Sequence, residues 1–377
     1  MIQRDRIVEQ FIKLVSIDSP SLCEKDMANY IVKVLRNRGY NVSVDNAADK
    51  ILGESGNVWL KITGTSKVDP ILIMAHMDTV DPSRNKKAVV NGEYITSDGT
   101  TVLGGDDLAG VTVILEMLNV LEEDKISHGD IYIVFTVAEE IGLLGAKNFD
   151  FGALGVKYGF VLDGGGKIGR VAIKAPSHVS LDINIKGKSA HAGMEPENGI
   201  SAIEVAAHAI SRMKLGRIDI DTTANIGKIS GGKATNIVCD NVDIKAEARS
   251  LCEEKLSRQV DHMRKTLDIV CKEYGAKLSI KQEYEYHAYD VSNEEDLIGI
   301  LKRAADLSDI ELILESTGGG SDTNVLNSVG IPSCNISIGM DKVHTVHERI
   351  KISDMVDSTK FLISLVRSVK QKGREVR

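Results

Sequence analysis

Three things this sequence lacks narrow its class before any motif is read. It has no excess of basic residues: 46 Lys and Arg against 54 Asp and Glu give a net charge of -8. That balance argues against a nucleic-acid partner, which needs a basic face. It has no uninterrupted apolar stretch of membrane-spanning length, and its first residues, Met1-Ile2-Gln3-Arg4-Asp5, are charged, so neither a signal peptide nor a membrane anchor is expected. It has no paired cysteines: Cys23, Cys239, Cys252, Cys271 and Cys334 are odd in number and irregular in spacing, which fits a reducing, cytoplasmic compartment. Internal repeats, low-complexity segments, a nucleophile-elbow motif and a cysteine in a reactive setting are also missing, which disfavours a serine or cysteine hydrolase.

What is present is a recurring phrase. The apolar run 71–75 ends in His76-Met77-Asp78, the run 131–137 in Ala138-Glu139-Glu140, and the run 158–162 in Asp163 before three glycines. Runs of this kind predict strands buried on both faces. Ligands bind outside the carboxyl ends of the strands in open α/β sheets, so these side chains are expected to face one crevice. Between the first two runs, Gly104-Gly105-Asp106-Asp107 precedes a helical pattern with Val111, Ile114, Met117, Leu118 and Leu121 on one stripe. At 377 residues the chain predicts two domains.

The grammar changes near residue 177. Val179, Leu181, Ile183 and Ile185 alternate with polar residues, a helix follows over 199–213, strands over 224–230 and 238–248, a long amphipathic helix over 256–274, and a strand over 277–286. This β-α-β-β-α-β order predicts a ferredoxin-like unit inserted into the first domain. The expected boundaries are 1–176 with 290–377 for the discontinuous α/β domain and 177–289 for the insertion.

One histidine at a strand end, several carboxylates and a late histidine suit a borderline cation such as zinc. A bridging carboxylate can hold two ions about 3.5–4 Å apart and lower the pKa of a water between them. Composition alone leaves Asp106 and Asp107 as alternatives for that bridge, and leaves His344 and His347 as alternatives in Val343-His344-Thr345-Val346-His347-Glu348.

The segments 76–82, 98–110, 138–142 and 162–165, together with Ala190-His191-Ala192-Gly193 and Pro196-Glu197-Asn198-Gly199, resemble the dinuclear-zinc exopeptidase family of aminoacylase and carboxypeptidase G, in particular its peptidase T-like branch. The resemblance implies a mixed-sheet zinc-exopeptidase catalytic domain with an inserted α+β lid and dimerisation domain. It implies that Asp106 bridges two Zn2+ ions (Co2+ or Mn2+ being substitutes), that His76 and Asp163 hold one, and that Glu140 and His344 hold the other, the spacing of His344 to Glu348 selecting it over His347. Glu139 is then the general base for attack of a metal-held water, and Asp78 orients a ligand imidazole. His191 is implied to act in trans on the scissile carbonyl of a homodimeric partner's substrate. Asn236, Arg249, Gly319 and Gly320 fall at substrate-contacting positions. Ala138 and Leu108 depart from the family's usual acidic and lysine residues there. The expected activity is a cytoplasmic aminopeptidase of short peptides, plausibly tripeptides. Its competitors are an N-acyl amino acid deacylase, a dipeptidase, or a silent relative that binds metal or peptide.

Overall fold

A computed structural model describes residues 1–369. The chain divides into two compact units, Met1–Lys174 with Asp290–Ser316 and the segment from Ser321 onward, and Ala175–Tyr289 with Thr317–Gly320. The glycine turn at 318–320, expected with the first domain, thus groups with the second.

In the first unit a large mixed sheet runs in the order Val42–Val44, Val58–Ile62, Ile131–Thr136, Ile71–His76, Tyr158–Gly165, Ser333–Asp341, Arg349–Lys351, Tyr94–Ser97 and Ala88–Asn91. The four strands from 131–136 to 333–341 are parallel, and His76 pairs with Thr136 at their carboxyl ends. All six residues of Ile71–His76 are buried. That is why the run is apolar throughout instead of alternating.

The helix Gly105–Glu123 corrects the single-stripe expectation. Val113, Leu115 and Val120 are buried as well as the expected stripe, because the helix packs against the sheet on one side and against the helices Arg4–Val15 and Ile352–Ser368 on the other. A helix enclosed on most of its circumference is apolar all round. Asp106 and Asp107 have non-helical backbone, so the regular helix begins after them. Gly110 permits its approach to the sheet: a Cβ there would lie 2.4 Å from the Leu162 carbonyl oxygen.

The second unit is an antiparallel sheet in the order Gly216–Arg217, Thr222–Gly231, Asn241–Ser250, Ser177–Lys186 and Lys277–Tyr286. The helices Ala202–Arg212 and Glu253–Tyr274 cover one face. Val179, Leu181, Ile183 and Ile185 point into that core and their neighbours point outward. The third strand of the sequence pattern, expected over 238–248, is shifted to 241–250. Residues 234–240 instead form a turn whose backbone pairs with the 190–192 segment.

Candidate metal centre

The parallel strands deliver their terminal side chains to one place. His76 is 2% exposed, and its Nε2 lies 3.0 Å from Asp106 Oδ1 and 3.7 Å from Asp163 Oδ1. The other oxygen of Asp106, Oδ2, is 3.1 Å from His344 Nε2, which is also 3.2 Å from Glu140 Oε2. Asp106 therefore stands between two imidazoles, one oxygen toward each. Five side chains drawn from five separate stretches of chain meet here.

The donor chemistry tests whether this cage fits cations. His76 Nδ1 lies 3.0 Å from the Asp78 carbonyl oxygen, where its N–H donates. That tautomer leaves the Nε2 lone pair aimed at two carboxylates, acceptor against acceptor, unless a proton or a cation lies among them. His344 Nε2 faces two carboxylates in the same way. Glu140 Oε1 is buried and has no hydrogen-bond partner among the described residues. Nitrogen and oxygen atoms converging with unspent lone pairs are what a divalent ion requires. The ligand atoms of His76, Asp106 and Glu140, and those of His76, Asp107 and Asp163, lie within 4.8 Å of one another.

The electrostatics carry the same message. Burial opposes charge on His76, yet the Asp106 and Asp78 carboxylates hold its pKa well above the ordinary histidine value. Burial, reinforced by neighbouring carboxylates, pushes Glu139, Glu140 and Asp163 upward. Asp106, despite its burial, is held below the usual carboxylate range by the His344 and His76 imidazoles. So many acids in one buried place demand positive charge.

Asp107 has a different task from its neighbour. Its Oδ2 accepts the His76 backbone N–H at 3.0 Å and its Oδ1 the Gly110 N–H at 3.2 Å, so it fixes the strand end while Asp106 faces both imidazoles. Gly104, at φ +77°, turns the chain into this segment, where a Cβ would come within 2.9 Å of the Thr79 methyl. His347 donates its backbone N–H to Thr345 Oγ1 and, among the described residues, makes no hydrogen bond to the cluster.

Asp78 reaches further than the imidazole-orienting role expected of it. Its Oδ1 is 3.4 Å from His76 Nδ1 and accepts the Glu139 backbone N–H at 2.9 Å. Its Oδ2 accepts the Glu140 N–H at 3.2 Å and the Ser21 hydroxyl at 2.7 Å. It thus grips the backbone of the Glu139-Glu140 pair. Glu139 is 8% exposed.

Four further residues whose own roles are not legible in the sequence hold this site from outside. Glu24 Oε1 accepts N–H groups from Leu22 and from Ala138, both at 2.9 Å; Ala138 has left-handed backbone just before the Glu pair. Burial pushes Glu24 up to about 7. Asp322 Oδ2 accepts the Thr136 hydroxyl at 2.5 Å, and burial raises it to about 6. Asn335 clasps Asp163 through a pair of 3.1 Å hydrogen bonds, accepting its N–H and donating to its carbonyl. Glu348, buried, receives three backbone N–H groups from 103–106.

The remaining candidates lie in the second unit. His191 is exposed, and its Nδ1 accepts N–H groups from Gly193 and Met194 at 3.2 and 3.1 Å, which leaves Nε2 as the N–H donor. Asn236 is on the facing turn, its carbonyl accepting the Ala192 N–H. Arg249 is half-buried, donating to Glu247 Oε2 at 3.0 Å and to Tyr286 Oη at 3.4 Å, while its Nε is buried without a hydrogen-bond partner among the described residues. Gly320 owes its identity to Tyr286: a Cβ there would strike the ring at 2.2 Å, whereas Gly319 faces open space. That crowding is a structural reason for glycine at 320 distinct from the close substrate approach expected of it.

Comparison with known proteins decides the lineage. Residues 57–171 match the model for peptidase family M28, and residues 173–275 match the M20 peptidase dimerisation domain. Aminopeptidase PepT from Bacillus cereus is 38% identical, with 97% of this chain and 99% of that one aligned at a TM-score of 0.88. This chain belongs to the peptidase T-like M20 metallopeptidases. Another peptidase T-like structure, a tripeptidase from Staphylococcus aureus, is also 38% identical, covering 97% and 98% of the two chains at a TM-score of 0.92. YqjE of Bacillus subtilis, a protein described as uncharacterized, is 39% identical over 97% of this chain and 99% of its own. The peptidase T-like fold, a mixed α/β sheet with a dimerisation domain, is thus the fold of this peptidase.

Proposed function

We propose that this peptidase is a two-metal aminopeptidase that releases the first residue of short peptides, tripeptides foremost. The observation that carries the reading is Asp106, with one carboxylate oxygen toward His76 and the other toward His344. On this reading His76 and Asp163 hold one divalent ion, Glu140 and His344 the other, and Asp106 both; zinc suits the nitrogen and oxygen donors, with cobalt or manganese as substitutes. The ions supply Lewis acidity that makes water nucleophilic near neutral pH.

The protein's own residues do the rest. Glu139, unliganded and buried beside the cage, takes the proton of the attacking water and passes it to the departing amine. Asp78 and Glu24 keep it in place through the 138–140 backbone. In a homodimer, His191 from the partner subunit would donate from Nε2 to the scissile carbonyl oxygen as charge develops there. The accepting role of its Nδ1 fixes that tautomer. Asn236 and Arg249 would meet the peptide's far end, the guanidinium taking its carboxylate. Five free cysteines fit a cytoplasmic setting, and among the described residues no helix is long and apolar enough to cross a membrane.

A panel of di-, tri- and tetrapeptides with free and acylated amino ends, assayed on metal-reconstituted enzyme, tests this reading. Cleavage of free-amine tripeptides ahead of the others supports it. Preference for acylated substrates would make the protein a deacylase instead, and preference for dipeptides a dipeptidase.

A further inference from the structure

Glu348 has a place in the fold that ligand geometry alone does not explain. It is 1% exposed, yet no cationic side chain forms an ion pair with it among the described residues. Its carboxylate is occupied by backbone. Oε2 accepts the N–H groups of Leu103 and Gly104, each at 2.8 Å, and Oε1 accepts the N–H of Asp106 at 2.9 Å. A Cβ at Gly105 would lie 3.1 Å from Oε1, so the turn is wrapped closely around the carboxylate.

The consequence lies in what the two ends of this contact carry. Residues 103–106 present Asp106, whose oxygens face both imidazoles. Glu348 follows His344 by four residues, at the end of the 342–348 loop and just before the strand Arg349–Lys351. His344 is the most exposed of the five cage residues, with its side chain 51% accessible and its backbone in the left-handed region. Packing therefore does little to hold it. The Glu348 carboxylate ties its loop to the Asp106 turn, 242 residues distant in sequence.

We infer that Glu348 is a positioning residue for the metal cage, fixing Asp106 and His344 relative to each other by anchoring the 103–106 backbone to the 342–348 loop. The inference rests on the two-metal reading above. Only a carboxylate meets the demand, because both oxygens must accept. Glutamine keeps the shape but supplies one acceptor; its NH2 would face an N–H donor, releasing either Asp106 or the Leu103 and Gly104 amides. Outer partners of metal ligands typically govern affinity by about 10–100-fold.

The test is titration of Zn2+ and Mn2+ into the metal-stripped full-length protein, for wild type, Glu348→Gln and Glu348→Asp, each paired with a thermal melt of the metal-free form. The expected result is affinity weakened about 10–100-fold in Glu348→Gln, with partial recovery in Glu348→Asp, which keeps both acceptors on a shorter stem. A Glu348 that merely stabilised the fold would lower the melting temperature and leave the affinity of the folded protein unchanged, and that result overturns the inference. Should Glu348→Gln fail to fold, Glu348→Asp decides alone: intermediate affinity supports the role and wild-type affinity overturns it. Wild-type protein that takes up neither ion removes the two-metal reading and this inference together, whereas tight wild-type binding matched by Glu348→Gln removes only this one.

Discussion

The two units of this peptidase use their sheets in opposite ways. In the first, parallel strands buried on both faces end in ionisable side chains, and those side chains are enclosed and held by further buried groups. In the second, an antiparallel sheet covers its core on one face only, and its candidate residues are exposed, as His191 and Asn236 are, or half-buried, as Arg249 is. The contrast teaches that the first unit can pre-organise a charged cage by itself, since its positions are over-determined by backbone hydrogen bonds. Loops such as 190–194 and 234–238 carry their side chains on turns, and the action of His191 in trans proposed above would have a partner complete their environment.

The sharpest way to break this contrast is Glu139→Gln. It should lower kcat by at least about 10²–10⁴-fold while metal content measured by plasma emission stays at the wild-type level. Turnover surviving the change would move the general base elsewhere in the first unit. His191→Ala should come next, with a loss of about 10²–10³ in kcat and unaltered metal content. Mixing it with Glu139→Gln subunits should restore activity, because one hybrid site recovers both intact groups; equal inactivity before and after subunit exchange would argue against action in trans. Leu181→Ala, in the fully buried core of the second unit, should cost about 2–5 kcal/mol in denaturant unfolding. Metal affinity should stay the same, and a parallel loss of it would show that the first unit's cage does not stand alone.

The smallest effect concerns acid. The His178 imidazole, its Nε2 3.1 Å from Glu247 Oε2, and then the Arg249 guanidinium depress Glu247 to about 2. A group whose folded pKa is lowered contributes stability above its unfolded pKa, near 4.5, and loses it as pH falls toward 2. Glu247→Gln should therefore lower the melting temperature above that window, neutral pH included, flatten its fall across the window and change little near pH 2. An unchanged acid slope would mean that the pair is solvated.

The sequence made the first unit's cage easier to read than what supports it. His76, Asp163 and the Glu139-Glu140 pair end apolar runs, and a strand that stops in a charge announces itself because burial and ionisation compete at one boundary. Asp106 and His344 needed the family resemblance, since a doublet of aspartates and two nearby histidines leave the choice open locally. Only the fold separates Asp107, which binds backbone, from Asp106, which faces two imidazoles. Glu24, Asp322 and Asn335 left no comparable signal, and Glu348 entered only as a spacing mark for His344: each is a single polar residue in a loop, at a helix start or, for Asn335, inside a strand, and what distinguishes it is a partner roughly 110 to 250 residues away. Local periodicity cannot report such pairing. The single-stripe reading of the Gly105–Glu123 helix failed for a related reason, because apolar residues outside the stripe gain meaning only once helices are found on its outer side.

The claim on which the account turns is that Asp106 is shared by two cations. Anomalous diffraction from zinc-loaded crystals tests it most directly. The account predicts two peaks flanking the Asp106 carboxylate, one beside His76 and Asp163 and the other beside Glu140 and His344. A single peak away from Asp106, or none at these five side chains, would contradict it.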